Sequence, residues 1–247
     1  MVSFNLRHLF AIPARKISLT CAALVCSLLV NGKLLAQDWS QYYDDKLWHL
    51  IFVVGPSYPS ARISTPNNFP LTNPAFPGVT LNHVESSGGL GVQGGIGVNL
   101  KLHRYFDLRT FLILSLQQQN FKFYFDSGTQ TRRIESTNIE IPLYLRYKSQ
   151  VYYNRRVYLI TGPKFSYNWS PQDRAQTEFS ILKASTSDLS WSVGAGLTFY
   201  GDKSVFSPEI VYSFGLRNVY AGAESQEIPN AIQSIYTSSL AINFIIE

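Results

Sequence analysis

Several things are scarce in this 247-residue chain. Its two cysteines, Cys21 and Cys26, both lie near the N-terminus, and its one methionine is Met1. Charged residues make up only 15% of the chain, and the longest apolar run, Ile17 to Val30, falls short of the roughly 18 residues that a membrane-spanning helix needs. That run is too short to span a bilayer comfortably as a helix. A soluble, highly charged domain is also disfavoured, because 45% of the residues are hydrophobic and 14% aromatic.

The scarcity is sharpened by the N-terminal segment. Arg7, Arg15 and Lys16 precede the apolar run, and Leu34-Leu35-Ala36 ends in a small residue before Gln37. This is the order of a secretory signal peptide, expected to be cleaved after Ala36. Lipidation at Cys21 or Cys26 is the competing reading, but Thr20 and Val25 stand where a small residue should precede the cysteine. Removal of residues 1–36 takes away four basic residues, Arg7, Arg15, Lys16 and Lys33, and lowers the formal charge from +5 to +1. The basic balance then says nothing of nucleic acid. Both cysteines leave as well, so the exported chain has no disulfide, thiolate nucleophile or cysteine metal site. Residues 37–45 would form a short periplasmic segment, and 46–247 the main domain.

What is abundant is aromatic and glycine-rich alternation, with 15 Tyr and 16 Phe. Gly89-Leu90-Gly91-Val92-Gln93-Gly94 matches G-x-G-x-x-G, yet no buried strand precedes it and no amphipathic helix follows. Leu90, Val92, Ile96, Val98, Leu100 and Leu102 share one parity; Gly91, Gln93, Gly95, Gly97, Asn99 and Lys101 take the other. That is a strand, not a phosphate cradle. The pattern recurs at 138–148, 157–169 and 189–200, and less cleanly at 107–125, 205–216 and 232–246. With 47–63 as the first, eight strands are expected.

Short connections at His103 to Asp107, Ser149 to Arg155 and Gly201 to Ser204 alternate with longer ones at Ser64 to Glu85, Asp126 to Arg133, Ser170 to Asp188 and Arg217 to Ala231. An all-β, eight-stranded antiparallel up-and-down transmembrane β-barrel of the bacterial outer membrane has this alternation, with short periplasmic turns and longer outside loops. The apolar parity would face outer-membrane lipid and the small, polar parity a tight lumen. Trp48, Tyr147, Phe199, Phe206 and Phe244 at the turn ends, and Tyr167, Trp169, Trp191 and Tyr236 at the loop ends, would form two interfacial girdles. The alternative is a soluble, lipocalin-like barrel with the apolar parity inside.

On the transmembrane register Lys101, Arg109, Glu140, Arg146, Lys148, Lys164 and Glu209 point inward. Buried ions must pair, so Arg109, Arg146 and Lys164 are expected to bridge Glu140 and Glu209 as a structural plug. A gated or selective pore is the other reading of the same charges. Catalysis has little to work with. His49, His83 and His103 are scattered over a strand, a loop and a turn, no metal-ligand spacing is present, and neither cofactor nor small-molecule substrate is expected.

Tyr105-Phe106-Asp107-Leu108-Arg109, STNIEIPLYLRYKS at 136–149, NRRVYLITGPKFSYNW at 154–169 and SPEIVYSFGLRNVY at 207–220 together resemble the PorT family of small outer-membrane barrels. The likeness runs from about Lys46 to Glu247, and IEIPLYLRYKS is its most specific part. The resemblance implies a non-enzymatic role in the type IX secretion apparatus, which exports proteins bearing a C-terminal targeting domain, with other envelope proteins of that system as partners. It implies no catalytic residue. A generic envelope scaffold or weak channel, and a lipid-modifying barrel enzyme, are the alternatives. The long segment Ser64 to Glu85 is the candidate partner-binding loop: Pro66, Pro70, Pro74 and Pro77 restrict it, and it carries Phe69, Leu71 and Phe76.

Overall fold

A computed structural model describes residues 46–64, 71–72, 80–126, 128–169, 185–201, 204–219 and 233–247. Ten strands run in chain order: β1 (Trp48–Ser64), β2 (Leu71–Thr72), β3 (Thr80–Gly88), β4 (Gly91–Lys101), β5 (Phe106–Phe125), β6 (Gly128–Lys148), β7 (Arg155–Asn168), β8 (Ser187–Tyr200), β9 (Val205–Gly215) and β10 (Ser234–Ile246). Among the described residues no helix is long and apolar enough to cross a membrane; the crossing is made by strands.

Neighbouring strands pair antiparallel in the order β4-β1-β10-β9-β8-β7-β6, and β5 pairs with both β6 and β4. The sheet therefore closes on itself with eight strand positions and no free edge in the bilayer, as the hydrocarbon region requires. The ten strands of the described residues fit eight positions because β3 and β4 lie end to end along β5, Gly88 facing Asn120 and Gly91 facing Gln117, and because the two-residue β2 pairs only with β3 and takes no part in the closure. The break falls at Gly88, whose φ of 66° is left-handed and whose missing side chain leaves room for the Tyr58 ring. Tyr58 Oη–H then donates to the Ser87 carbonyl at 2.8 Å and pins the break to β1.

Several boundaries differ from the sequence reading. Thr80 to Glu85, expected in a loop, is strand, because β5 runs on to Phe125 and offers β3 a pairing edge. Gly128 to Arg133, also expected in a loop, is the return arm of the same hairpin. Asp107, expected where the turn 103–107 meets the strand 107–125, is the second residue of β5; Arg155, expected in a turn, opens β7, and Ser187 and Asp188, expected in a loop, open β8. Residues 65–70, 73–79, 127, 170–184 and 220–231 of the expected long connections, the signal peptide 1–36 and the segment 37–45 lie outside the described residues.

The alternation has its expected sense. Leu90, Val92, Ile96, Leu100, Leu112, Leu114, Ile141, Leu143, Leu145, Val157, Leu159, Val193 and Leu197 are exposed on the outer wall, while Ser115, Glu140, Ser192, Ser207 and Glu209 are buried inside. A soluble barrel would show the reverse. At the turn end the outward rings gather: Phe106 and Tyr147 lie 5.3 Å apart between centroids, Phe199 and Phe206 6.5 Å, and Phe206 and Phe244 6.2 Å. Trp191 on the outer wall donates its indole N–H to Thr161 Oγ1 at 2.9 Å, so its one polar group is satisfied against lipid.

Candidate functional site: the barrel interior

The interior has three layers, each built from alternate residues of several strands. The middle layer is apolar. Ile51 and Val53 of β1, Phe111 and Ile113 of β5, Tyr144 of β6, Tyr158 and Ile160 of β7, Val211 of β9 and Ile245 of β10 form one buried cluster. Room for the largest of these comes from β8, where Gly196 faces the Tyr158 ring and a Cβ would collide with its hydroxyl end. An eight-stranded barrel is just wide enough for side chains to fill, and here they fill it.

The turn-side layer is ionic. Arg109 spans it from β5, with Nη1 3.2 Å from Glu209 Oε2 and Nη2 3.0 Å from Glu247 Oε1. Arg146 of β6 lies 3.6 Å from Asp107 Oδ2 and 3.9 Å from the same Glu247 oxygen, and its Nη2 donates to Thr198 Oγ1 at 2.5 Å. Its guanidinium carbon sits 4.0 Å from the centroid of Tyr158, so the ring that belongs to the apolar layer also contacts the ionic one. Lys148 Nζ approaches Asp107 Oδ1 at 2.8 Å. Gln93 donates to Asn243 Oδ1 at 2.5 Å and Asn243 to Glu209 Oε1 at 3.5 Å, which carries the network past the apolar layer toward the loop side, where Gln93 pairs in register with Ser115. Each of these ions is paired, and Arg109, Arg146, Glu209 and Glu247 are hydrogen-bonded as well, whereas neither oxygen of Asp107 accepts a hydrogen bond and its burial rests on the two cations beside it.

The loop-side layer is sparse. Lys164 Nζ lies 3.0 Å from Glu140 Oε2, Gln117 donates to Glu140 Oε1 at 3.0 Å, and Ser192 and Ser213 share a hydrogen bond at 2.8 Å. Short hydroxyl side chains, including Ser57, Ser115 and Ser190, make up much of the rest of the buried wall here.

The sequence-predicted residues fall as follows. Arg109 meets Glu209 and Lys164 meets Glu140. Arg146, expected to share those two acids, faces Asp107 and Glu247 instead. Lys148 is buried and Lys101 half-buried at the end of β4, opposite Asp107 in register. Asp107, Glu247 and the buried Arg156 were not picked out from sequence. Asp107 looked like turn chemistry, although its parity with Arg109 was already the signal that it points inward. Phe69 and Phe76 lie outside the described residues, and Leu71 opens the short β2, its backbone paired with Leu81. The His83 ring lies tilted against Tyr124 and the His103 ring against Tyr105, at 5.9 and 6.1 Å between centroids. Among the described residues no group of three or more His, Cys, Asp or Glu could hold a metal ion.

A closed antiparallel barrel with an apolar outer wall, aromatic rings at its rims and ions sequestered inside is a transmembrane barrel. The chain belongs to the outer membrane protein beta-barrel domain family, whose model matches residues 41–221, and its place is the bacterial outer membrane. No curated protein matches it. Among solved structures it is similar to the outer membrane protein OprG from Pseudomonas aeruginosa, at 10% identity over 79% of this chain and 94% of that one, with a TM-score of 0.45. It is also similar to Neisserial surface protein A (9% identity, 81% and 98% covered, TM-score 0.40) and to the outer membrane protein AlkL (12%, 79% and 88%, 0.39).

Proposed function

We propose that the barrel is a non-enzymatic component of the type IX protein secretion machinery, needed for export of cargo with C-terminal targeting domains. The observation that carries this reading is the filled interior: an apolar layer backed by ion pairs leaves no path for a polypeptide, so the barrel acts through surfaces outside the bilayer. The PorT-like stretches at 105–109, 136–149, 154–169 and 207–220 point those surfaces toward the secretion apparatus. The signal at 1–36 would deliver the chain, and the proline-restricted loop bearing Phe69, Leu71 and Phe76 would contact other envelope proteins of the system.

The decisive experiment is a clean deletion with quantification of secreted C-terminal-domain cargo. Cargo held in the periplasm, and released again on complementation, is the expected result. Normal export accompanied by a leaky envelope would instead make the protein a general scaffold. Deletion of residues 67–76 should leave a heat-modifiable barrel of normal abundance and reduce export; unchanged export would remove that loop from the proposal.

A further inference from the structure

The turns that join β4 to β5 and β6 to β7 end at the aromatic rim. Arg155 pairs in register with Phe199, and the Tyr200 amide donates to the Asn154 carbonyl at 3.0 Å, so the 152–155 turn stands level with the Phe199 ring. Phe106 pairs with Tyr147 across β5 and β6, which puts the 102–106 turn at the same rim. An aromatic rim marks the edge of the hydrocarbon, and the layer beside it holds the lipid headgroups.

One of these turns carries a side chain that its own backbone disfavours. Tyr152 and Arg155 exchange both backbone hydrogen bonds, at 2.9 and 3.0 Å, which leaves Tyr153 and Asn154 as a two-residue loop with φ of 45° and 57°. Such a loop favours Asn or Gly at both positions, so Asn154 fits and the bulky Tyr153 is strained. Packing within the protein does not repay that strain. Tyr152 and Tyr153 are 75% and 81% exposed, and among the described residues their rings meet only each other, edge to face at 4.5 Å. Strain of this kind points to a role outside the fold.

Two arginines accompany the rings. Arg155 is exposed with its guanidinium 5.7 Å from the Phe199 ring, and Arg104 is exposed with its own 5.6 Å from Tyr105. The turns are tied to each other, because the Lys148 amide donates to the Tyr105 carbonyl at 2.9 Å and Gln150 donates to Tyr105 Oη at 3.4 Å. Residues 102–106 and 149–155 include no acid, and the acid next to them, Asp107, is buried in the lumen against Lys148. Every phospholipid brings a phosphate to this layer, but a zwitterionic headgroup also brings an ammonium, and these turns hold no carboxylate to receive it.

From this height, exposure and charge we infer that the two turns bind the phosphate of an anionic phospholipid in the periplasmic leaflet. Arg104 and Arg155 supply the charge, through planar forks that suit a phosphate, and the hydroxyls of Tyr152 and Tyr153 supply further hydrogen-bond donors. The inference needs only the outer-membrane setting, in which short turns face the periplasm, and it stands or falls apart from the secretion role.

The test uses the full chain in nanodiscs of equal parts phosphatidylcholine and phosphatidylglycerol with matched tails, and native mass spectrometry counts the lipids that stay with the released barrel. Phosphatidylglycerol should be retained over phosphatidylcholine by about tenfold or more, and Arg104→Gln with Arg155→Gln should abolish that preference. Tyr153→Asn suits the loop conformation, should fold at least as well as the parent, and should lower the preference by about threefold. Equal retention of the two lipids by the parent, or a preference that survives both changes, would overturn the proposal. Fluorescence of Tyr153→Trp should be quenched by headgroup spin-labelled lipid; quenching by aqueous iodide alone would lift the turn into the periplasm and overturn it. Inorganic phosphate added at constant ionic strength should leave the preference unchanged. Its loss would make a free phosphate ion the ligand and overturn the lipid assignment.

Discussion

The turn-side and loop-side halves of the lumen are lined by the same strands, yet they solve the buried-charge problem in opposite ways. On the turn side Asp107 has two cations and Glu247 two, and Arg109 and Arg146 each reach two acids. On the loop side one lysine meets one glutamate among serines. A shared network distributes the loss of an acid over several neighbours, but it concentrates risk in the cations that bridge it. An isolated pair fails simply, and its ions are nearer to the open end of the barrel, where Lys164 retains some exposure.

The contrast is broken most severely at Arg109. Arg109→Ala strands Glu209 and leaves Glu247 with Arg146 alone, at 3.9 Å, and a loss of about 5 kcal/mol, at the upper end for a broken buried pair, is expected in the stability of the refolded barrel measured by denaturant. Heat-modifiability on gels should fall in parallel. Glu140→Ala should cost about 3 kcal/mol, since it strands Lys164 alone. If the two losses are equal, the difference between shared and isolated pairing has no energetic content.

Replacing Glu140 and Lys164 together with apolar residues sharpens the comparison. The double change should cost less than Glu140→Ala by itself, because no ion is left uncompensated, and a double-mutant cycle in urea measures the coupling. Between the two halves, Gly196→Ala would push against Tyr158, which packs under Arg146, with an expected loss of about 1–3 kcal/mol from overpacking. The smallest effect should come from the outer wall. Trp191→Phe removes one indole hydrogen bond to Thr161 and should cost about 1 kcal/mol with export unchanged, as read by unfolding and by cargo secretion in the same strain.

The ease of reading the sequence followed the same geography. In β4, β7 and β8 the inward positions are Gly, Ser, Lys or Asn often enough that period two is visible directly. In β5 it is blurred, because Phe111 and Ile113 face the apolar lumen layer while Leu112 and Leu114 face lipid. An uninterrupted apolar run carries no phase. The polar residues of β3 and the far half of β6 looked like loops for the complementary reason. They are strands through mutual pairing on an extended β5, which their own composition does not announce.

Parity, and with it the outer wall, the rims and the inward set Arg109, Glu140, Arg146, Lys164 and Glu209, was settled by the sequence, because alternation belongs to a single strand and the bilayer accepts only one face of it. Which ions meet was settled by the tertiary structure. Arg146 reaches Asp107 and Glu247, and not Glu140, because strand tilt and stagger set the height of each side chain in the lumen, and that offset exists only between strands after the barrel has closed.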